Sequence, residues 1–253
     1  MSSNGVAFFD LDNTIIRGGS LFYLARGLQR RRFFSKGELA NIFWKHLKFV
    51  VIGRESLSDM DSIRAMALRF IAGHEVSELM AISAEIVDAN ILPKVYEGSR
   101  TLAEAHLNRG EEVWIVTASP QQIANLLAER LGFTGALGTL AEVVDGRYTG
   151  NLTGPVLHGS HKPAAVREFA AERGIDLASC TAYSDSFNDL PLLEAVGHPV
   201  VVNADYRLRV WARRRGWPNY DFRKMRYARK YSLPALAAAL ATLLVRALRR
   251  SRP

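Results

Sequence analysis

The sequence predicts an α/β protein built on a doubly wound parallel sheet, with a block of helices inserted after the first strand. Three observations predict this fold. Short apolar runs end at polar residues in 6–14, 112–120 and 181–189, as buried strands do. Helical patterns closed by glycine alternate with these runs from residue 98 onward, which indicates βα units. An aromatic-rich helical stretch fills 17–93.

The composition indicates an ordinary globular protein. Of the 253 residues, 48% are hydrophobic and 23% are charged, which argues against wholesale disorder. Cys180 is the single cysteine, so no internal disulfide can form. The first residues are neither basic nor apolar, so no secretion signal is visible and we expect a cytoplasmic protein.

The positive charge is concentrated in a basic tail, residues 207–253. This tail has fourteen Lys and Arg against one acid, a net charge of +13, whereas residues 1–206 carry −5. Its apolar run at 233–245 is thirteen residues long, and crossing a bilayer takes about 20. Three interpretations stay open: a helix packed on the body, an interfacial helix on the anionic inner face of the membrane, or an arm on nucleic acid. We consider nucleic acid the weakest of the three, because basic residues flanking an Ala/Leu-rich helix suit a membrane surface.

The order of predicted elements divides the chain into parts. A first strand runs into Asp10, and helices follow within 25–53, 56–72 and 76–91, before Pro93. The second half predicts helices at 99–109, 121–131 and 162–173, strands at 112–116, 181–184 and 199–202, and a hairpin turning at Asp145-Gly146. We therefore predict a core from 1–16 and 94–206, a helical cap from 17–93, and the basic tail with an amphipathic helix.

Polar groups follow three of the predicted strands. They are Asp10 and Asp12 after the first, Thr117 and Ser119 after the second, and Asp185 to Asp189 after a later one. Lys162 begins a predicted helix that lies between the second and the later strand in the sequence. Carboxyl ends of parallel strands share one edge of the sheet, where such folds bind ligands. Clustered carboxylates beside an anionic ligand repel each other, so this site requires cations. Taken singly, Thr117 could be a helix cap and Lys162 a solvated helix start.

Asp10, Thr117, Lys162 and Asp185, in this order, resemble the four motifs of the haloacid-dehalogenase-like (HAD) phosphohydrolases. The strings Ile115–Pro120 and Asp145–Gly150 are more narrowly similar to the phosphoserine-phosphatase-like branch, subfamily IB. The resemblance covers residues 6 to about 205. It implies a Rossmann-like core with a helical cap, and an Mg²⁺-dependent phosphatase that hydrolyses phosphomonoesters through an aspartyl-phosphate.

The resemblance also implies residue roles. Asp10 would be the nucleophile and Asp12 the general acid and base. Mg²⁺ would be held at Asp10, the Asp12 backbone carbonyl and Asp185. Asp189 completes the expected metal-site residues, with Asn188 orienting ligands or waters. The phosphate would be bound by Thr117, Ala118, Ser119 and Lys162.

Gly19 argues against phosphoserine as the substrate. Phosphoserine phosphatases carry an acidic residue about nine positions after the nucleophile, where it holds the substrate ammonium; here that position is Gly19. Arg64 and Arg69 lie in the part of the cap where a substrate carboxylate would bind. We expect a small phosphometabolite or a lipid phosphate. The alternatives are a phosphotransferase or mutase of the same superfamily, and a protein that binds membrane or nucleic acid through its tail.

Overall fold

The computed structural model describes residues 5–31 and 71–223. Its strands are β1 (Val6–Phe9), β2 (Glu112–Pro120), β3 (Gly135–Thr139), β4 (Ala141–Val144), β5 (Arg147–Leu152), β6 (Thr181–Ser184), β7 (His198–Val202) and β8 (Asn219–Tyr220). Six strands form a parallel sheet in the order β3-β2-β1-β6-β7-β8. β4 and β5 form the predicted antiparallel hairpin, whose turn residues Asp145 and Gly146 both have positive φ.

Helices cover both faces of the sheet. They are α1 (Ser20–Arg30), α2 (Val76–Ile86), α3 (Glu97–Asn108), α4 (Gln121–Leu131), α5 (His161–Arg173), α6 (Leu190–Leu193) and α7 (Tyr206–Arg215). A π-helical turn, Val87–Ile91, and a 3-10 turn, Leu92–Lys94, extend α2. Shorter 3-10 turns occur at Leu177–Ser179 and Phe187–Asp189.

The central strand β1 contributes to a hydrophobic core on each face. Ala7 and Phe9 pack into one core with side chains from α1 to α4. Val6 and Phe8 point the other way, toward α5, α6 and α7. All four residues are buried, as expected for a central parallel strand. This arrangement confirms the predicted doubly wound fold with helices inserted after β1.

Strand β3 was absent from the sequence prediction. Its glycines weaken the strand signal, but packing against β2 requires them. A Cβ on Gly135 would lie 2.6 Å from the Trp114 ring, and one on Gly138 would lie 2.9 Å from the Ser119 carbonyl oxygen. These glycines are required by tertiary contacts with β2, so local strand propensity does not reveal β3.

The first part of the basic tail, residues 207–223, contributes to the described fold. Residues 207–223 include most of α7 and all of β8, and β8 pairs with β7 at the sheet edge. A Cβ on Gly98 would lie 2.3 Å from the Phe222 ring, so this segment packs closely on α3. Basic composition hid the connection, because Arg213 and Arg214 are exposed while Leu208 and Ala212 are buried.

Several predictions lie outside the described residues. They concern the helices within 32–53 and 56–70, Arg64, Arg69, and the amphipathic helix beyond residue 223. In 5–31 and 71–223, no helix is long and apolar enough to cross a membrane.

A buried histidine network lies under the central strands. His106 Nε2 is 2.7 Å from the Tyr183 hydroxyl, and His106 Nδ1 contacts the Glu111 carboxylate. Arg109 Nε donates to Glu111 Oε1 at 2.7 Å. The Tyr183 ring stacks on Phe9 with centroids 4.0 Å apart, and its carbonyl accepts the Asp10 N–H at 2.9 Å. The network therefore supports the backbone from which Asp10 projects.

We expect this network to lower stability as the pH falls below about 6.5, the ordinary pKa of histidine. Burial lowers the pKa of His106, although Glu111 opposes this effect. The unfolded chain therefore protonates His106 first, near its ordinary pKa of about 6.5, and the folded state loses stability as pH falls below that value. Urea unfolding should show a shallower pH dependence for His106→Gln than for wild type. Equal slopes would contradict the prediction.

Candidate active site

The predicted site residues meet at one edge of the sheet. Strands β2, β1 and β6 are neighbours and run parallel, so their carboxyl ends lie side by side. Asp10 follows β1, Thr117 and Ser119 are among the last residues of β2, and Asp185 follows β6. Helix α5 brings Lys162 to this edge. The structure thus gathers residues that are far apart in sequence, such as Asp10 and Asp185, which are 175 positions apart.

Lys162 is buried between two carboxylates. Its Nζ lies 2.5 Å from Asp10 Oδ1 and 2.6 Å from Asp189 Oδ2, and only 3% of the residue is exposed. The Thr14 hydroxyl donates to Asp10 Oδ2 at 3.1 Å, and the Ser184 hydroxyl donates to Asp189 Oδ2 at 2.8 Å. The orientation of both carboxylates is therefore held by hydrogen bonds.

The site contains more negative charge than its lysine balances. Burial raises the pKa of Asp10 to about 7; Lys162 opposes the rise, and Asp189 adds to it. Burial, together with Asp10 and Asp189, raises the pKa of Asp185 well above its usual range. Burial alone would lower the pKa of Lys162, but the two carboxylates outweigh burial and raise it. A hard divalent cation with oxygen ligands fits this imbalance.

The carboxylates could hold such a cation only together with other oxygen donors. Within the described ranges, no three acidic, histidine or cysteine side chains form a group that could bind a metal ion. Asp189 contacts Lys162 and Ser184, and its place among the metal-site residues stays a prediction. Asn188 is half-buried in the adjoining 3-10 turn, and its N–H donates to Ser186 Oγ at 3.2 Å.

The turn after β1 is held by contacts from distant parts of the chain. Asp12 Oδ1 accepts the Ser20 N–H at 2.8 Å. Asn13, with φ of 59°, accepts the Gly18 N–H on its side chain and the Asn203 amide on its carbonyl, at 3.0 and 2.7 Å. These bonds place the Asp12 side chain beside the first turn of α1.

The end of β2 is held in the same way. Thr117 Oγ1 accepts the Ser119 N–H at 3.1 Å, and the Ala118 carbonyl accepts the Thr139 hydroxyl at 2.9 Å. Ser119 Oγ lies 2.6 Å from Ser20 Oγ, and both serines are buried. The sequence analysis gives Thr14, Ser20, Ser184 and Asn203 no role in the site. Thr14 and Ser184 adjoin predicted site residues, but Ser20 and Asn203 carry no local signal.

We expect the Ser20–Ser119 hydrogen bond to couple the stabilities of α1 and β2. Ser20→Ala or Ser119→Ala leaves one buried hydroxyl without its partner, at a cost of about 1–3 kcal/mol of unfolding free energy. The double variant should cost less than the sum of the two, by about 0.5–1.5 kcal/mol. Urea unfolding of all four proteins measures this difference, and strictly additive losses would contradict it.

Comparison with known proteins agrees with this geometry. The family model described as haloacid dehalogenase-like hydrolase matches residues 7–194. "Phosphoserine phosphatase SerB1" of Mycobacterium tuberculosis is 46% identical over 247 residues, which cover 96% of this chain and 80% of that protein. "Histidinol-phosphatase" of Neisseria meningitidis is 32% identical over 222 residues, 86% of this chain and 99% of that protein. A solved structure from Bordetella pertussis, described as being of unknown function, has a TM-score of 0.78 at 29% identity and covers 87% of this chain and all of that one.

The chain therefore belongs to the haloacid dehalogenase-like hydrolase family. It is an enzyme of the phosphatase class within that family, as its four motifs predict.

Proposed function

We propose that this protein is an Mg²⁺-dependent phosphomonoester hydrolase that acts through an aspartyl-phosphate on Asp10. The observation that carries the proposal is the buried Lys162, which lies within 2.6 Å of both Asp10 and Asp189 at the carboxyl edge of the sheet. A lysine in this position would neutralise the nucleophile and attract the phosphate.

Asp10 attacks phosphorus in line with the leaving oxygen. The hydrogen bonds from Lys162 and Thr14 hold its two oxygens, one each, and so orient the carboxylate before substrate arrives. Attack forms an Asp10–phosphorus bond and breaks the bond to the leaving alkoxide, and water later hydrolyses the acyl phosphate. Thr117 and the neighbouring backbone N–H groups bind the phosphoryl oxygens, and Ala118 and Ser119 shape this pocket.

Asp12 transfers the protons. It protonates the leaving alkoxide and then removes a proton from the attacking water, which is worth about 10²- to 10⁴-fold in rate. The Ser20 N–H holds Oδ1. A Cβ on Gly19 would lie 3.8 Å from Oδ2, the oxygen that we assign to proton transfer, at ordinary van der Waals distance.

The chain also offers ligands for Mg²⁺. We assign them to the Asp10 and Asp185 carboxylates and the Asp12 carbonyl, with Asn188 supporting them. Asp189 instead positions Lys162. When bound, Mg²⁺ supplies positive charge that lowers the repulsion between phosphate and carboxylates.

The substrate proposal follows from the mouth of the site. Residues 17–93 would form a cap over it, since α1 starts at Ser20 and contacts both Asp12 and Ser119. At Gly19 there is no carboxylate for an ammonium group, and Leu21 and Phe22 are exposed next to it. We therefore propose a small phosphometabolite or lipid phosphate other than phosphoserine. The mycobacterial relative is named a phosphoserine phosphatase, which disagrees with this proposal. The neisserial relative is named a histidinol-phosphatase, which is compatible with it.

A phosphate-release assay tests both the proposed hydrolase reaction and the proposed class of substrate. Hydrolysis of p-nitrophenyl phosphate should require Mg²⁺ and stop on chelation; label transfer between substrates without phosphate release would instead show a phosphotransferase. The panel should include L-phosphoserine, L-histidinol phosphate, and sugar, glycerol, nucleotide and lipid phosphates. A kcat/KM for phosphoserine far above all others would refute the substrate proposal and leave the chemistry intact.

Contact of the basic tail, residues 207–253, with anionic membrane stays a prediction. The full chain should sediment with phosphatidylglycerol vesicles. A variant that ends at Arg223, which keeps β8 and its pairing with β7, should stay in the supernatant. Equal sedimentation of the two chains would exclude the tail as a membrane anchor.

A further inference from the structure

A groove separate from the candidate active site lies between α1 and the end of the inserted segment. Its volume is about 200 Å³, and its lining residues are Tyr23, Arg26, Gly27, Arg30, Ala89, Asn90, Pro93 and Lys94. None of the residues assigned to phosphate or Mg²⁺ lines it. Water occupies about 30 Å³ per molecule in the liquid, so a phosphate group fits in this volume.

The groove follows from the spacing of its residues on α1. Tyr23, Arg26, Gly27 and Arg30 are spaced i, i+3, i+4 and i+7, which places them on one face of the helix. Gly27 allows close packing below, because a Cβ there would lie 2.6 Å from Ile86. The opposite wall is formed by the π-helical turn that carries Asn90 and the 3-10 turn that carries Lys94.

Three cations surround this groove, and nearby acids are paired elsewhere. Asp88 is bound by Arg130, and Glu85 by Arg31. Among the residues that the structure describes, no carboxylate forms an ion pair with Arg26, Arg30 or Lys94. Like charges at i and i+4 repel, so Arg26 and Arg30 side by side weaken α1 unless an anion lies between them.

We propose that this groove binds a phosphate-bearing anion. Two guanidinium groups and an ammonium supply the charge-assisted donors that phosphate oxygens accept best. The Asn90 amide adds a neutral donor, and the Tyr23 hydroxyl is already held by the Arg17 carbonyl at 2.8 Å. The ligand is either a soluble polyphosphate or a phospholipid headgroup, since both present the same oxygens.

Binding there would connect the two chain segments that join the inserted helices to the sheet. The Arg17 N–H donates to the Lys94 carbonyl at 2.9 Å, so Lys94 adjoins the first connection as well as forming part of the second. An anion held by Arg26, Arg30 and Lys94 would bridge α1 to this junction.

The test compares the full chain with Arg26→Glu/Arg30→Glu. Titration calorimetry with inorganic pyrophosphate, without Mg²⁺, should show a binding event that this variant weakens about tenfold or more and that high salt also weakens. Arg213→Glu/Arg214→Glu, which reverses two exposed charges on α7, is the matched control and should bind as wild type does. Circular dichroism checks that all three chains are folded.

Binding to vesicles of phosphatidylglycerol and phosphatidylcholine in equal parts distinguishes a phospholipid headgroup from a soluble polyphosphate as the ligand. Loss of pyrophosphate binding with unchanged vesicle binding identifies a soluble ligand, and loss of vesicle binding, with or without loss of pyrophosphate binding, identifies a headgroup. Unchanged binding of both probes overturns the proposal. The groove variant should hydrolyse p-nitrophenyl phosphate with the kcat of the wild type. Absence of hydrolysis by the wild type would refute the hydrolase proposal and would not affect the binding test of the groove.

Discussion

Asp10→Asn is expected to lower phosphatase turnover by at least about 10⁴-fold while the protein stays folded. The amide keeps the shape of the side chain but cannot attack phosphorus, and loss of the nucleophile in another covalent enzyme costs about 10⁶-fold in kcat. Because burial already disfavours the Asp10 charge, the substitution removes a carboxylate that the fold holds at a cost. The measurements are phosphate release with Mg²⁺ and the thermal midpoint.

Asp145→Asn provides the matched control for that substitution. Asp145 lies exposed in the hairpin turn with φ of 51°, a conformation that asparagine tolerates well. This variant should keep wild-type turnover and stability. Near-normal hydrolysis by Asp10→Asn would refute the proposed nucleophile, and the control excludes a general effect of replacing aspartate.

Lys162→Met is expected to lose both activity and stability. Removing the lysine leaves Asp10 and Asp189 buried without their cation, and breaking a buried ion pair from one side costs about 3–5 kcal/mol. That loss is a large part of a typical unfolding free energy of about 5–15 kcal/mol. Turnover should fall as well, because the phosphate loses its fixed positive charge. Urea unfolding and phosphate release measure the two effects.

A second substitution distinguishes charge from packing. Lys162→Met/Asp189→Asn should be more stable than Lys162→Met, because one unpaired carboxylate is gone, but it should remain inactive. Lys94→Met controls for the residue change, since Lys94 forms no ion pair among the described residues and its loss should cost under about 0.5 kcal/mol. A double variant no more stable than Lys162→Met would show that charge is not the cause.

The described helices and strands agree with sequence patterns where local signals are strong. Helix 121–131 and strand 181–184 have the predicted bounds, because apolar spacing, capping glycine and β-branched or aromatic content all coincide there. Prediction failed at β3 and β8, where glycines or basic residues reflect neighbours distant in sequence.

The sequence predicts Asp10, Asp12, Thr117, Lys162 and Asp185 as site residues, from polar residues after parallel strands and from the resemblance of the four motifs, and their roles stay predictions. Only the tertiary structure decided which groups hold them: Lys162 between Asp10 and Asp189, and Ser20 between Asp12 and Ser119. These partners lie 8 to 152 residues apart. Hydrogen bonds over such separations depend on how helices pack against the sheet, and no local pattern of residues encodes that packing.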